Sequence, residues 1–210
     1  MKKGFMLVFD GSNGAGKTTV IKGVEKYLTL KGFDVLLTRE PGGTPIGEKI
    51  REVILDPSTP EMCYMTELML FGAGRAQHVQ QKIVPALAQG KIVISDRFDA
   101  ATFSFQHFAR GIDLNTIVKI NDLALDGFTP DMNIILDLDP REGLKRVLSR
   151  GEGLDRLEDE KSDFLAKARD GYLKQAENCP EKFEVIDASQ SKENVLADVI
   201  NVIDSLIDSQ

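Results

Sequence analysis

Gly11-Ser12-Asn13-Gly14-Ala15-Gly16-Lys17-Thr18 sets glycines, a lysine and a hydroxyl in the spacing G-x-x-x-x-G-K-[ST]. That combination suits one task, the seating of a polyphosphate. Glycines let the backbone curl until successive N–H groups point inward at phosphate oxygens. A helix opening directly after the loop adds unpaired N–H groups and the positive end of its dipole. Lys17 brings a mobile cation to the β- and γ-phosphates of a nucleoside triphosphate, and the Thr18 hydroxyl can reach Mg2+. Gly11, Ser12, Asn13, Gly14, Ala15, Gly16, Lys17 and Thr18 are the expected ATP site.

Such a loop needs an acidic residue at the end of a neighbouring strand to hold the metal ion or its water. Ile92 to Ser95 is an apolar run ending in Asp96-Arg97, and Ile134 to Asp139 is a second run carrying Asp137 and Asp139. Asp96 is favoured, because Arg97 beside it can grip a phosphate with two parallel bonds. Asp137 and Asp139, ahead of Pro140, read as strand-end or helix-capping residues. A further basic group, Arg146, Arg150 and Arg156, surrounds the Gly-broken stretch Arg150-Gly151-Glu152-Gly153-Leu154-Asp155-Arg156. Arg146 fits a solvated helix end, whereas Arg150 and Arg156 fit a loop that closes over the phosphates and excludes water.

These residues require a scaffold that brings distant segments to one edge. Strands are expected at Phe5–Phe9, Asp34–Leu37, Lys91–Ser95, Asn133–Leu138 and Phe183–Ile186. Most lack in/out alternation, as strands covered on both faces do. Helical patterns fall at Lys17–Leu30, Pro45–Leu55, around Glu67–Ala88, and at Asn115–Leu125, Pro140–Ser149, Ser162–Asn178 and Lys192–Ile207. Alternation of this kind gives right-handed crossovers and a mostly parallel sheet, with ligands collecting at the carboxyl ends of its strands. Gly11 to Thr18, Arg39-Glu40, Asp96-Arg97 and Asp187 all follow apolar strands and are expected to converge there.

No linker, repeat or low-complexity tract divides the 210 residues, so one domain is expected. A net charge of -7 disfavours a nucleic-acid coat or an anionic-membrane binder. Cys63 and Cys179 stand far apart without CxxC spacing, which argues against a disulfide framework or zinc site and suits a reducing cytosol. No apolar run approaches membrane-spanning length, and the charged start Met1-Lys2-Lys3 leads into an apolar stretch that stops at Asp10. A cytoplasmic protein is expected.

The element Thr38-Arg39-Glu40-Pro41-Gly42-Gly43-Thr44, then Asp96-Arg97-Phe98-Asp99 with Gln106 and Arg110-Gly111, then Arg150 to Arg156, follow the phosphate loop in a fixed order. In this the chain resembles bacterial thymidylate kinases, from about Leu7 to the last helix. The resemblance implies an α/β fold with a five-stranded parallel sheet flanked by helices, the P-loop nucleotide-kinase fold, with a short lid at about 150–157. It implies Mg2+ with ATP as donor, dTMP as acceptor, dTDP and ADP as products, and a homodimer acting on small-molecule nucleotides. Residue by residue, Glu40 would line the acceptor site and Arg51 would help hold the monophosphate. Phe71 would lie on the thymine face, Arg75 would bond the base edge, and Thr102 and Gln106 would flank it. Arg97 would grip the phosphate, Thr18 and Asp96 would organise the metal, and Lys17, Arg97, Arg150 and Arg156 would serve transfer. Phe71 and Arg75, four residues apart, share one helix face, which supports a common site.

The chain departs from that pattern at several positions. Asn13 stands where the family carries an acid placed near the sugar 3′-hydroxyl and the metal, and Asp10 where Glu is common. Phe98, Ala101 and Phe105 replace frequent hydroxyl-bearing or imidazole side chains, and a common glycine is missing from Gln106 to Ala109. These changes leave open a sister nucleotide kinase with another deoxynucleoside monophosphate as acceptor, or an inactive homologue. A regulatory NTP-binding module is a third alternative, but the guanine-reading Asn/Thr-Lys-x-Asp element it would favour is absent.

Overall fold

Five apolar runs form one parallel sheet: β1 (Met6–Gly11), β2 (Val35–Arg39), β3 (Ile92–Asp96), β4 (Met132–Asp137) and β5 (Phe183–Asp187), in the order β2-β3-β1-β4-β5. The computed structural model describes residues 4–149, 156–157 and 160–208. Strand β1 is buried along its whole length because both faces are covered. Leu7 and Phe9 meet α1 (Lys17–Leu30) and α9 (Lys192–Asp208) through Val20, Val24, Leu28, Val199 and Ile203. Met6 and Val8 point to the opposite layer, where they meet Val79, Ile83, Val93 and Phe98. The period of two along a strand thus feeds two cores at once.

The remaining helices are α2 (Pro45–Leu55), α3 (Tyr64–His78), α4 (Val84–Ala88), α5 (Asp99–Thr102), α6 (Leu114–Leu125), α7 (Pro140–Leu148) and α8 (Ser162–Asn178). Their ends follow sequence chemistry. Thr44 accepts from the Gly47 N–H ahead of Pro45, Asp113 from the Thr116 N–H, and Asp139 from the Arg141 N–H ahead of Pro140. Helix α6 stops at Asp126, left-handed at φ 49°, before Gly127.

The long helix expected around Glu67–Ala88 begins earlier, at Tyr64, and is interrupted by a π-helical stretch, Val79–Ile83, before α4. Pro85 explains the break: it lacks an N–H, and its ring collides with the carbonyl four residues back, so the turn ahead of it widens. The sequence reading gave no helix to 99–109, yet α5 runs directly into a π-helical segment, Phe103–Ala109.

Register brings the strand ends together. Phe9 pairs with Asp96, Arg39 with Asp96, Gly11 with Leu136, and Asp137 with Asp187. The phosphate loop, Glu40 and Arg97 therefore leave the sheet at its carboxyl edge.

Candidate active site

The loop after β1 takes the shape that its glycines permit. Gly11, Gly14 and Gly16 have φ of 124°, 78° and 93°, a region that side chains with a Cβ rarely occupy. Gly16 opens α1 with no side-chain cap and no acid in the first turn, so the positive end of that helix faces the loop. The Lys17 ammonium lies over the carbonyls of Gly11 and Ser12, each at 3.3 Å, and the Ser12 hydroxyl ties the loop to the Leu138 carbonyl. Helix α7 braces the loop from outside, glycine against glycine: a Cβ on Gly143 would lie 2.1 Å from the Asn13 carbonyl oxygen. Gly143→Ala is therefore expected to lower stability by about 1–3 kcal/mol and to weaken ATP binding. In an unobstructed helix the same change would add about 1 kcal/mol, so the sign of the change in Tm reads the contact directly.

Lys17, Thr18, Thr19, Arg39 and Asp96 line one cavity, with Gly14 and Gly16 at its floor. Phe71, Arg75, Phe98, Thr102, Phe105 and Gln106 line a second. Asn13, Glu40, Arg51 and Arg97 line both. The two cavities therefore meet at Arg97.

Arg97 is left-handed at φ 70° and is fixed there by its N–H to the Phe9 carbonyl, at 2.8 Å, and by the Ser95 hydroxyl on its own carbonyl, at 2.6 Å. Its guanidinium donates to Asp10 at 3.4 Å, to the Tyr172 hydroxyl at 2.9 Å and, over a short contact, to Asn13, and it lies 5.3 Å from the Phe105 ring centre. Asp10 is fully buried. Burial pushes its carboxyl up to about 6, against the pull of Arg97 and the Tyr172 hydrogen bond.

The wall of the second cavity is a buried chain of polar groups. Glu40 accepts from Arg75 Nε at 2.9 Å and contacts His78 Nδ1 at 3.0 Å, while His78 Nε2 lies 2.6 Å from the Thr38 hydroxyl. Arg75 also donates to Asn121 and to the Phe98 carbonyl. The residue expected at the base edge is thus locked in plane, which fixes the face it turns to a ligand. Arg51 donates to the Pro41 carbonyl, and Phe71 is half-buried at the cavity edge. The Thr102 hydroxyl is buried and has no hydrogen-bond partner among the described residues.

Gln106 donates to Glu67, which also accepts from Arg110 and from Arg156, the last at 2.5 Å. Burial acts to raise the Glu67 carboxyl, but hydrogen bonds from Arg110, Gln106 and Arg156 outweigh it and hold the group below the usual range. Arg156, expected over the phosphates, is instead held by Glu67 and the Ile54 carbonyl and lines neither cavity; its neighbour Leu157 lines the second. Arg150 lies outside the described residues. Arg146 donates to the Gly14 carbonyl at 3.4 Å from an exposed position. Asp139 caps α7, and Asp137 holds Arg169 with bonds of 2.6 and 2.7 Å, as strand-end acids do. Asp187, expected at the shared edge, ends the outermost strand and accepts from the Ser189 N–H, outside both cavities.

Four residues at the site were not singled out from the sequence: Glu67, His78, Asn121 and Tyr172. His78 carried a usable signal, since Phe71, Arg75 and His78 follow the four-then-three spacing of one helix face. Glu67, four residues before Phe71, extends that spacing, whereas Asn121 and Tyr172 lie far in sequence from the groups they hold and no spacing rule joins them.

A phosphate loop facing an arginine-edged second cavity across the carboxyl edge of a 2-3-1-4-5 parallel sheet defines a P-loop nucleotide kinase. Comparison with known proteins then narrows the class. Residues 9–199 match the family model described as thymidylate kinase. The chain is 46% identical over 202 residues to a thymidylate kinase from Geobacillus sp. (strain WCH70), with 96% of each chain covered. It is 40% identical over 200 residues to one from Clostridium novyi (strain NT), covering 95% of this chain and 98% of the relative. The crystal structure of thymidylate kinase from Ehrlichia chaffeensis superposes with a TM-score of 0.77 at 31% identity, covering 96% of this chain and 99% of that one. The chain belongs to the thymidylate kinase family.

Proposed function

We propose that this chain transfers the γ-phosphoryl group of ATP to dTMP, giving dTDP and ADP for dTTP synthesis. One observation carries the reading: Asn13, Glu40, Arg51 and Arg97 line both the cavity of Lys17 and the cavity of Phe71 and Gln106. A triphosphate on the loop and a monophosphate in the second cavity meet end to end at Arg97, which is the placement an in-line transfer needs. Lys17 and the loop N–H groups take the β- and γ-phosphates. Arg97 presents the acceptor phosphate, with Arg51 beside it. Phe71 offers an aromatic face to the base, Arg75, Thr102 and Gln106 its polar neighbours, and Glu40 the group that keeps Arg75 in plane. No general base is required, because a monophosphate is already an anion at neutral pH. The resemblance also assigns Arg150 and Arg156 to the transferring group. Arg156 can serve there only after its pair with Glu67 opens.

Thr18 and Asp96 both line the phosphate cavity, and a hydroxyl with a carboxylate is a hard oxygen set. Among the described residues no group of three or more His, Cys, Asp or Glu side chains forms a metal cage. The pair fits a Mg2+ carried largely by the phosphates, which would neutralise charge between the β- and γ-oxygens.

The chain is read as one domain, 1–210, cytoplasmic, acting on small nucleotides and on neither polymeric nucleic acid nor membranes. No helix among the described residues is long and apolar enough to cross a membrane. A homodimer is proposed, supported by exposed Met69 on α3 and Leu123 on α6, two helices that pack together.

The test is ADP release with Mg2+ and ATP over dTMP, dUMP, dCMP, dGMP and dAMP. The largest kcat/KM is expected with dTMP. Activity with another acceptor alone would reassign the chain to a sister kinase, and slow turnover indifferent to any acceptor would point to a regulatory module.

A further inference from the structure

We propose that Tyr172 is a positioning residue for Arg97: its buried hydroxyl holds the guanidinium in the posture that receives the acceptor phosphate and ties that posture to helix α8. The inference rests on the acceptor-binding role given to Arg97 above.

Tyr172 is 1% exposed, and its hydroxyl sits between two charged groups, donating to Asp10 Oδ1 at 2.7 Å and accepting from Arg97 Nη1 at 2.9 Å. Only a neutral phenol does both at once. Burial, reinforced by the Asp10 charge, keeps the proton on by raising the hydroxyl well above its ordinary value. The direct Arg97–Asp10 contact is longer, at 3.4 Å, and Asp10 Oδ2 is buried with no hydrogen-bond partner among the described residues. The phenol therefore makes the shorter of the two hydrogen bonds to the Asp10 carboxyl and is the bridge through which it steers the arginine. Arg97 needs such steering. Its backbone is pinned in a conformation that non-glycine residues avoid, and the end of the side chain stands at the junction of two cavities.

Helix α8 is well anchored to carry that role. Arg169 is paired twice to Asp137 at the end of β4, and Gln175 donates to the Ala100 carbonyl and the Ser104 hydroxyl. The Tyr172 ring meets Phe105 edge-on at 6.3 Å, and Phe105 lines the acceptor cavity. One side chain thus braces both the arginine and the wall next to it.

Tyr172→Phe keeps the ring and removes only the bridge. The expected result is a loss of about tenfold in kcat/KM for dTMP, the effect of one hydrogen bond to a charged group, with KM for ATP unchanged. The same change made in Arg97→Ala should alter kcat/KM by less than about twofold, because two residues acting through one group are not additive. Side-chain 15N NMR of Arg97 supplies a readout without substrate: its guanidinium nitrogens, held apart in the parent, should average in Tyr172→Phe. Kinetics of Tyr172→Phe equal to the parent, or the same loss in both backgrounds, would overturn the inference while leaving the acceptor reading intact. If the parent prefers another monophosphate, that acceptor replaces dTMP in the cycle and only the choice of base is lost. A parent inactive with every acceptor would sink the role of Arg97 and this inference with it.

Discussion

Lys17→Ala is expected to lower kcat for dTMP phosphorylation by about a thousandfold, the scale on which fixed cations act in phosphoryl transfer. In the folded chain Lys17 is 8% exposed and its ammonium rests on the Gly11 and Ser12 carbonyls, so it is already over the loop where the β- and γ-phosphates would sit. Removing it leaves the loop amides and the α1 dipole to bind the triphosphate, so binding should weaken less than turnover. A coupled ADP assay gives kcat, and titration with ATP gives the binding loss. Circular dichroism should show an unchanged fold, since the loop shape is set by Gly11, Gly14 and Gly16 and by the Ser12–Leu138 bond. A kcat within tenfold of the parent would remove Lys17 from the chemistry.

Arg97→Ala should cost about a hundredfold to a thousandfold in kcat/KM for dTMP while KM for ATP changes little, because a charge-assisted grip on the acceptor phosphate is lost. Lysine is a poor replacement, since a single ammonium cannot reach Asp10, Asn13 and Tyr172 together as a planar fork does. The stability change should be modest for a buried pair. The Arg97 charge lowers the Asp10 carboxyl from the level that burial alone would set, and the remaining value is about 6. Deleting the cation moves it higher, so near neutral pH Asp10 takes up a proton rather than remaining a bare buried charge. The loss of stability should accordingly grow as pH rises. A variant whose dTMP kinetics match the parent would displace Arg97 from the acceptor site.

The parts of the molecule governed by local chemistry were legible in the sequence. Three glycines and Lys17 in fixed spacing announced the loop, and the spans Lys17–Leu30, Pro45–Leu55 and Ser162–Asn178 fold as expected because apolar periods mark them, with the Thr44 cap and Pro45 opening the second. The 99–109 segment was not legible. Phe103, Phe105 and Phe108 crowd it without a clean 3.6 period, and its π-helical winding is set by packing between α8 and the acceptor cavity. Asp10 shows a similar limit. Its position could be read, but its burial and its hydrogen bond to Tyr172, 162 residues away, appear only once α8 lies across the end of β1. Phe98 changes meaning as well. It lacks a hydroxyl, yet its carbonyl accepts from Arg75 and its buried ring lies 5.4 Å from that guanidinium, so the backbone serves where a side chain was sought.

The central claim is direct transfer between two nucleotides that meet at Arg97. Incubation with ATP labelled with 32P at the γ-position, dTMP and Mg2+, followed by separation of the products, tests it most directly. The label should appear in the β-phosphate of dTDP, in step with ADP, and only when dTMP is present. Label released as inorganic phosphate at a rate unmoved by dTMP would contradict it.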